Sequence, residues 1–118
     1  MEIPLISPIL RLIRNGITDI LLKEPVFEYN PEKSKRNTEK HGVDFEEAQE
    51  LWKVRHVVFP ARHVGGEARY IMVGRIRGQI HVVIFSRRGR AIRLISCHRA
   101  SSRWEREYRE AFHEKKED

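Results

Sequence analysis

Cysteine is nearly missing from the 118-residue sequence: Cys97 is the only one. That excludes an intramolecular disulfide and a zinc site built from several thiolates, and it suits a reducing cytosol. No run of about 18 apolar residues occurs, so no segment reads as a membrane-spanning helix. Near the N-terminus Glu2, Arg11 and Arg14 interrupt the apolar residues, and no small-residue cleavage site follows. Internal repeats and low-complexity tracts are missing too. The most informative lack is of negative charge: from Arg69 to Arg103 there is no Asp, no Glu and no Lys. A Mg²⁺-dependent site needs clustered oxygen ligands, and this half of the chain supplies none, so chemistry without a metal or other cofactor is the expectation.

The same stretch holds nine arginines, whereas residues 28 to 56 mix seven acidic with six basic side chains. The net charge of +6 and pI near 9.8 are therefore concentrated in one half of the chain, which favours a polyanionic partner. With 40% hydrophobic residues a single core is within reach, and 118 residues suit one domain.

Residues 1 to 25 read as an N-terminal extension with a loose helical stripe from about Pro8 onward, and residues 26 to 118 as the domain. Val26 to Tyr29 alternates like a short strand. Asn30 as N-cap, Pro31 at the first helical position and Gly42 beyond the end predict a helix over Pro31 to His41. Its side chains are almost all polar, so burial does not explain them, and the helix reads as a functional surface. Asp44 and Glu47 form a capping box ahead of the apolar stripe Phe45, Ala48, Leu51 and Trp52. A strand is expected at His56 to Phe59, then a loop from Arg62 to Glu67. Strands over Arg69 to Arg77, Ile80 to Ser86 and Ala91 to Cys97, with turns at Gly78 and Gly89, read as an antiparallel meander. The middle one is apolar at nearly every position, which predicts cover on both faces. Ser102 and Glu105 suggest a second capping box, opening a helix with Trp104, Tyr108, Ala111 and Phe112 on one face. The order predicts an α+β fold, with the meander packed against two N-terminal helices and a C-terminal helix.

Arginine forks suit phosphate, and RNA carries a 2′-OH that attacks the adjacent phosphate once a side chain removes its proton. Candidate proton carriers are His41, His81, His98 and a Lys40 of lowered pKa, since imidazole titrates near about 6.5. Each has a plainer reading. His41 sits at a helix C-terminus, where it can serve the helix dipole; His81 lies in the central strand, where histidine is commonly a hydrogen-bonded core residue. His98 follows the last strand amid Arg93, Arg99 and Arg103. His56, His63 and His113 read as solvent or loop residues.

Phe27-Glu28-Tyr29-Asn30-Pro31, Lys33, Asn37, Lys40-His41-Gly42-Val43 and Phe45-Glu46-Glu47-Ala48 resemble, in order and spacing, the opening of the BrnT toxins. Arg69-Tyr70, Gly74, Val82-Val83, Arg88-Gly89, Arg93-Leu94-Ile95-Ser96 and Ala100 resemble the family's later strands, and Glu105 through Tyr108 its last helix. The resemblance implies a RelE-like fold, RNA cleavage that inhibits translation in the cytoplasm, and neutralisation by a cognate BrnA-type antitoxin whose DNA-binding part represses the operon. It leaves room for a toxin dimer within that complex. It carries a catalytic expectation onto Lys40, His41, Arg69, Arg88 and Arg93, with His98 as a further acid or base. Arg75, Arg77, Arg87, Arg90, Arg99 and Arg103 are expected to bind RNA. One departure stands out: Ser96-Cys97-His98-Arg99-Ala100 replaces the family's S-A-R-x-A, placing His98 where arginine is usual. A non-catalytic RNA- or ribosome-binding module, or an inactive toxin homologue, is the alternative. A DNA-binding autorepressor lacks support, because no helix pair with a basic second helix is found.

Overall fold

The computed structural model describes residues 25–115. The expected helical extension, apart from Pro25, lies outside them. Its elements are β1 (Val26–Glu28), α1 (Pro31–His41), α2 (Phe45–Ala48), a 3₁₀ turn (Gln49–Lys53), β2 (His56–Val64), β3 (Glu67–Ile76), β4 (Gln79–Arg88), β5 (Ala91–Arg99) and α3 (Ser102–Ala111). The fold is α+β, as the element order predicts, with one five-stranded sheet in the order β1-β5-β4-β3-β2. β2 through β5 form an antiparallel meander, while β1 adds to β5 in parallel, so the sheet is mixed rather than purely antiparallel. That parallel pair is sterically available because α1 and the following strands separate β1 from β5 by more than the dozen residues such a crossover requires.

The chain punctuation of α1 acts as the sequence indicates. Asn30 is extended and its side chain accepts from the backbone N–H of Glu32 and Lys33; Gly42 closes the helix at φ 74°, a left-handed conformation that costs glycine nothing. The Asp44–Glu47 capping box is formed on both sides. α2 is a single turn that tightens at once into the 3₁₀ segment, so its stripe of Phe45, Ala48 and Leu51 reaches the core through a shorter helix than expected. The stretch read as a loop is mostly strand: β2 runs to Val64 and β3 starts at Glu67, leaving only Gly65-Gly66, both at positive φ, to turn the chain. At the last helix the cap is Ser101, in extended conformation, and no side chain caps it, so the expected Ser102–Glu105 box does not form. Ala111 is exposed; Trp104, Tyr108 and Phe112 carry the packing.

Strand alternation divides the core in two. One face of the sheet carries Met72, Val83, Phe85, Leu94 and Cys97 beneath Val43, Phe45, Ala48 and Leu51. The other carries Val73, Ile80 and Val82 beneath Tyr108, with Trp104 and Phe112 alongside. β4 is thus covered on both sides, as its uninterrupted apolar run predicts. Gly74 is a close-approach position: a Cβ there would lie 2.8 Å from Leu51 Cδ2 and 3.1 Å from the Arg55 carbonyl oxygen.

α1 has no apolar stripe, yet two of its polar residues are buried. Asn37 donates from Nδ2 to the carbonyls of Val43 and Cys97, both at 2.7 Å, and its Oδ1 accepts from the Cys97 N–H at 3.2 Å. One amide therefore satisfies the outer edge of β5 where β1 has ended. Ser34 Oγ accepts from the Phe45 N–H at 2.9 Å and fixes the start of α2.

His56, expected at the surface, is buried. Its Nδ1 lies 2.8 Å from the carbonyl oxygens of both Leu51 and Val54, so Nδ1 carries the proton and donates to them.

Replacing Asn37 with Ala removes one partner from three buried backbone groups. The expected loss is about 2 to 4 kcal/mol in urea unfolding, against about 1 to 3 kcal/mol for the overpacked Gly74→Ala variant.

Candidate functional site

The sheet face that carries α3 is only partly covered by it. Beyond the helix, the registers align four polar residues in a row across the strands: Arg69 on β3 opposite Ser86 on β4, Ser86 opposite Arg93 on β5, and Arg93 beside Glu28 on β1. Arg88, two residues along from Ser86 and so on the same face, joins them. Three of the arginines named from the sequence thus come from three strands to one place. Side chains at these positions share a face because successive residues of a strand alternate, an outcome fixed by register rather than by sequence distance.

Carboxylates are present there too. Glu28 Oε1 lies 3.7 Å from a guanidinium nitrogen of both Arg88 and Arg93, and Glu67 Oε2 lies 3.0 Å from Arg88 Nε. The hydrogen bond from Arg88 holds the Glu67 carboxyl below the usual carboxylate range, with Arg69 adding to the effect. Ser86 contributes a weaker pull on the same carboxyl, yet its fully buried Oγ reaches no partner in hydrogen-bonding geometry. Arg69 Nε is likewise buried and without a partner.

The imidazoles gather at the other end of β5. The His41 ring, at the end of α1, stands 5.6 Å centroid to centroid from that of His98. His98 Nδ1 donates to the Arg99 carbonyl oxygen at 3.0 Å, leaving Nε2 free to accept a proton. Lys40 precedes His41 and is exposed, as is Arg99. The β4 partners of Arg93 and His98, Ser86 and Val82, are four residues apart, so about 13 Å of strand at roughly 3.3 Å per residue separates the two, a β-bulge in β5 taking up the extra residue. The site is therefore a strip along β5, with arginines at one end and imidazoles at the other.

The remaining expected residues divide. Arg87, Arg90 and Arg103 are exposed, Arg103 over the Trp104 ring at 4.6 Å. Arg77 is engaged by Glu47 and donates to the Gly42 carbonyl oxygen at 3.1 Å, which ties the β3–β4 turn to the end of α1. Arg75 grips Glu114 with two guanidinium nitrogens, at 3.1 and 3.0 Å, and Glu114 also meets Arg55 and Arg109. The arginine stretch lacks acids of its own, but the fold supplies them from Glu28, Glu47, Glu67 and Glu114. His81 is buried and donates from Nδ1 to the Gln79 carbonyl oxygen at 2.8 Å, the core role its place in β4 suggests. Sequence reasoning assigned no role to Ser86 or Glu67, and the signal that would have found them, cross-strand register, exists only in the folded sheet.

A basic strip on the sheet face, ending at two adjacent imidazoles, offers charge suited to phosphate and groups of the kind that move protons. The profile of the family described as "Ribonuclease toxin, BrnT, of type II toxin-antitoxin system" matches residues 29–103, and the chain belongs to that family. RNA is thus the substrate class and an antitoxin the partner that membership implies. No curated protein sequence matches the chain.

Burial depresses both His56 and His81 below the ordinary histidine value. A lowered folded-state pKa means that the unfolded chain binds more protons between that value and about 6.5, so stability falls as pH drops through this window. The denaturation midpoint is expected to decline from pH 7.5 to 5, and His56→Gln to flatten that slope in pH-dependent urea titrations.

Proposed function

We propose that the protein is a metal-independent endoribonuclease toxin of RelE-like architecture that inhibits translation by cutting RNA and is held in check by a BrnA-type antitoxin. The observation that carries this reading is the His41–His98 pair at the end of the arginine strip. One neutral imidazole takes the proton of the substrate 2′-OH. As O2′ bonds to phosphorus and the P–O5′ bond breaks, the other, protonated, gives its proton to O5′. The products are a 2′,3′-cyclic phosphate and a 5′-hydroxyl. Lys40 stands next to the pair and stabilises charge on the reacting phosphate, while Arg69, Arg88 and Arg93 hold phosphates farther along the chain. Arg87, Arg90, Arg99 and Arg103 extend the field; Arg75 and Arg77 join it only on release from Glu114 and Glu47. An acidic antitoxin segment laid on the strip would match its charge and mask it.

The purified chain, incubated with a structured RNA in EDTA, is expected to give fragments ending in 2′,3′-cyclic phosphate. His41→Ala or His98→Ala should slow cleavage by about 10²-fold or more. A His41→Ala, Arg93→Ala double variant cutting at the parent rate would sink the site assignment. RNA that is bound but left intact would make the chain a binding module.

A further inference from the structure

Among the described residues three buried polar side-chain atoms have no partner: Arg109 Nε on α3 and, on the sheet face beneath that helix, two that are neighbours. Arg69 and Ser86 are direct cross-strand partners, and Ser86 is in turn opposite Arg93. Ser86 Oγ and Arg69 Nε are both unpaired, although Ser86 is fully buried. A hydroxyl and a guanidinium nitrogen left unpaired out of water are costly to the fold, and native proteins keep few of them without a purpose. Both are donors, and a third donor-bearing group, Arg93, completes the row. The first two lack an acceptor in hydrogen-bonding geometry, and Arg93 meets only Glu28, at 3.7 Å.

The chain's own acceptors stand at the rim. Glu28 reaches Arg88 and Arg93 only at 3.7 Å, longer than a hydrogen bond, and Glu67 is held chiefly by Arg88, at 3.0 Å, with Ser86 and Arg69 exerting weaker pulls on it. Arg88 and Glu67 are exposed enough for solvent to weaken their pairing, so they can swing aside.

We propose that Arg69, Ser86 and Arg93 form a single-phosphate subsite for RNA, in which the Ser86 hydroxyl donates to a non-bridging oxygen and the Glu67 carboxylate is the displaceable anion of the free protein. This subsite deepens the reading of the strip as an RNA surface and rests on it. Ser86 acts as a positioning residue: it places a phosphate between the two guanidiniums. A fixed hydrogen bond adds register to a charge field that otherwise attracts any polyanion. Glu67 sets the threshold, since an incoming phosphodiester, equal to the carboxylate in charge, must replace it on Arg88.

The test uses an oligonucleotide with 2′-O-methyl riboses, which cannot be cleaved through the 2′-oxygen, so binding is read apart from catalysis. Ser86→Ala is expected to weaken its binding about tenfold, the scale of one hydrogen bond to a charged group, with the salt dependence unchanged because no charge is lost. The same substitution removes an unpaired buried hydroxyl, so its melting temperature should equal or exceed the parent's. Glu67→Gln should bind more tightly than the parent. Unchanged affinity in Ser86→Ala overturns the subsite, as does a Glu67→Gln chain that binds no better. Weakened binding by Ser86→Ala, together with a parent that cuts no natural RNA, retains the subsite and overturns the ribonuclease reading.

Discussion

The side-chain amide of Asn37 is the contact on which the placement of everything else depends. β1 pairs with β5 over only three residues, and beyond them the edge of β5 would expose its backbone. Asn37 meets both polar groups of Cys97 there and the Val43 carbonyl as well, so a polar helix is tied to a sheet by hydrogen bonds instead of by an apolar face. The consequence is positional. The end of α1 is carried to the end of β5, and His41 comes to rest beside His98.

Charge follows a similar logic of distance. A run of nine arginines would repel itself if left alone, and the fold offsets part of that by bringing Glu28, Glu47, Glu67 and Glu114 to it from other elements. The pairs are largely solvent-exposed and contribute little stability each. Their effect is on availability: Arg75 and Arg77 brace α3's end and the β3–β4 turn, whereas Arg87, Arg90, Arg99 and Arg103 make no salt bridge among the described residues and leave the surface strongly positive. Arg88 and Arg93 stand between these extremes, each held by carboxylates at the rim of the strip.

Local punctuation was legible because it depends on neighbours in the chain. Asn30, Pro31, Gly42 and the Asp44–Glu47 box set α1 and α2 through contacts within a few residues. Apolar continuity in Ile80 to Phe85 likewise announced a strand covered twice. Non-local contacts escaped. His56 read as a surface residue because its partners are carbonyl oxygens, which carry no signature of residue type. The helix α1 read as a free surface because burial of Ser34 and Asn37 is polar and periodicity registers only apolar faces. The strip's histidines and arginines could be named singly, but not their arrangement.

The sequence by itself determined the inventory: an α+β chain with one basic half, the caps of its first two helices, its central strand and its family. Those properties reside in composition and in spacings of a few residues, where backbone preference and side-chain periodicity act directly. Only the tertiary structure decided which groups meet. Strand register aligned Arg69, Ser86, Arg93 and Glu28, a buried amide brought His41 to His98, and distant glutamates set which arginines are free. A one-residue slip in register would turn that row to the opposite face, so the site is a property of strand pairing, which no local stretch of sequence contains.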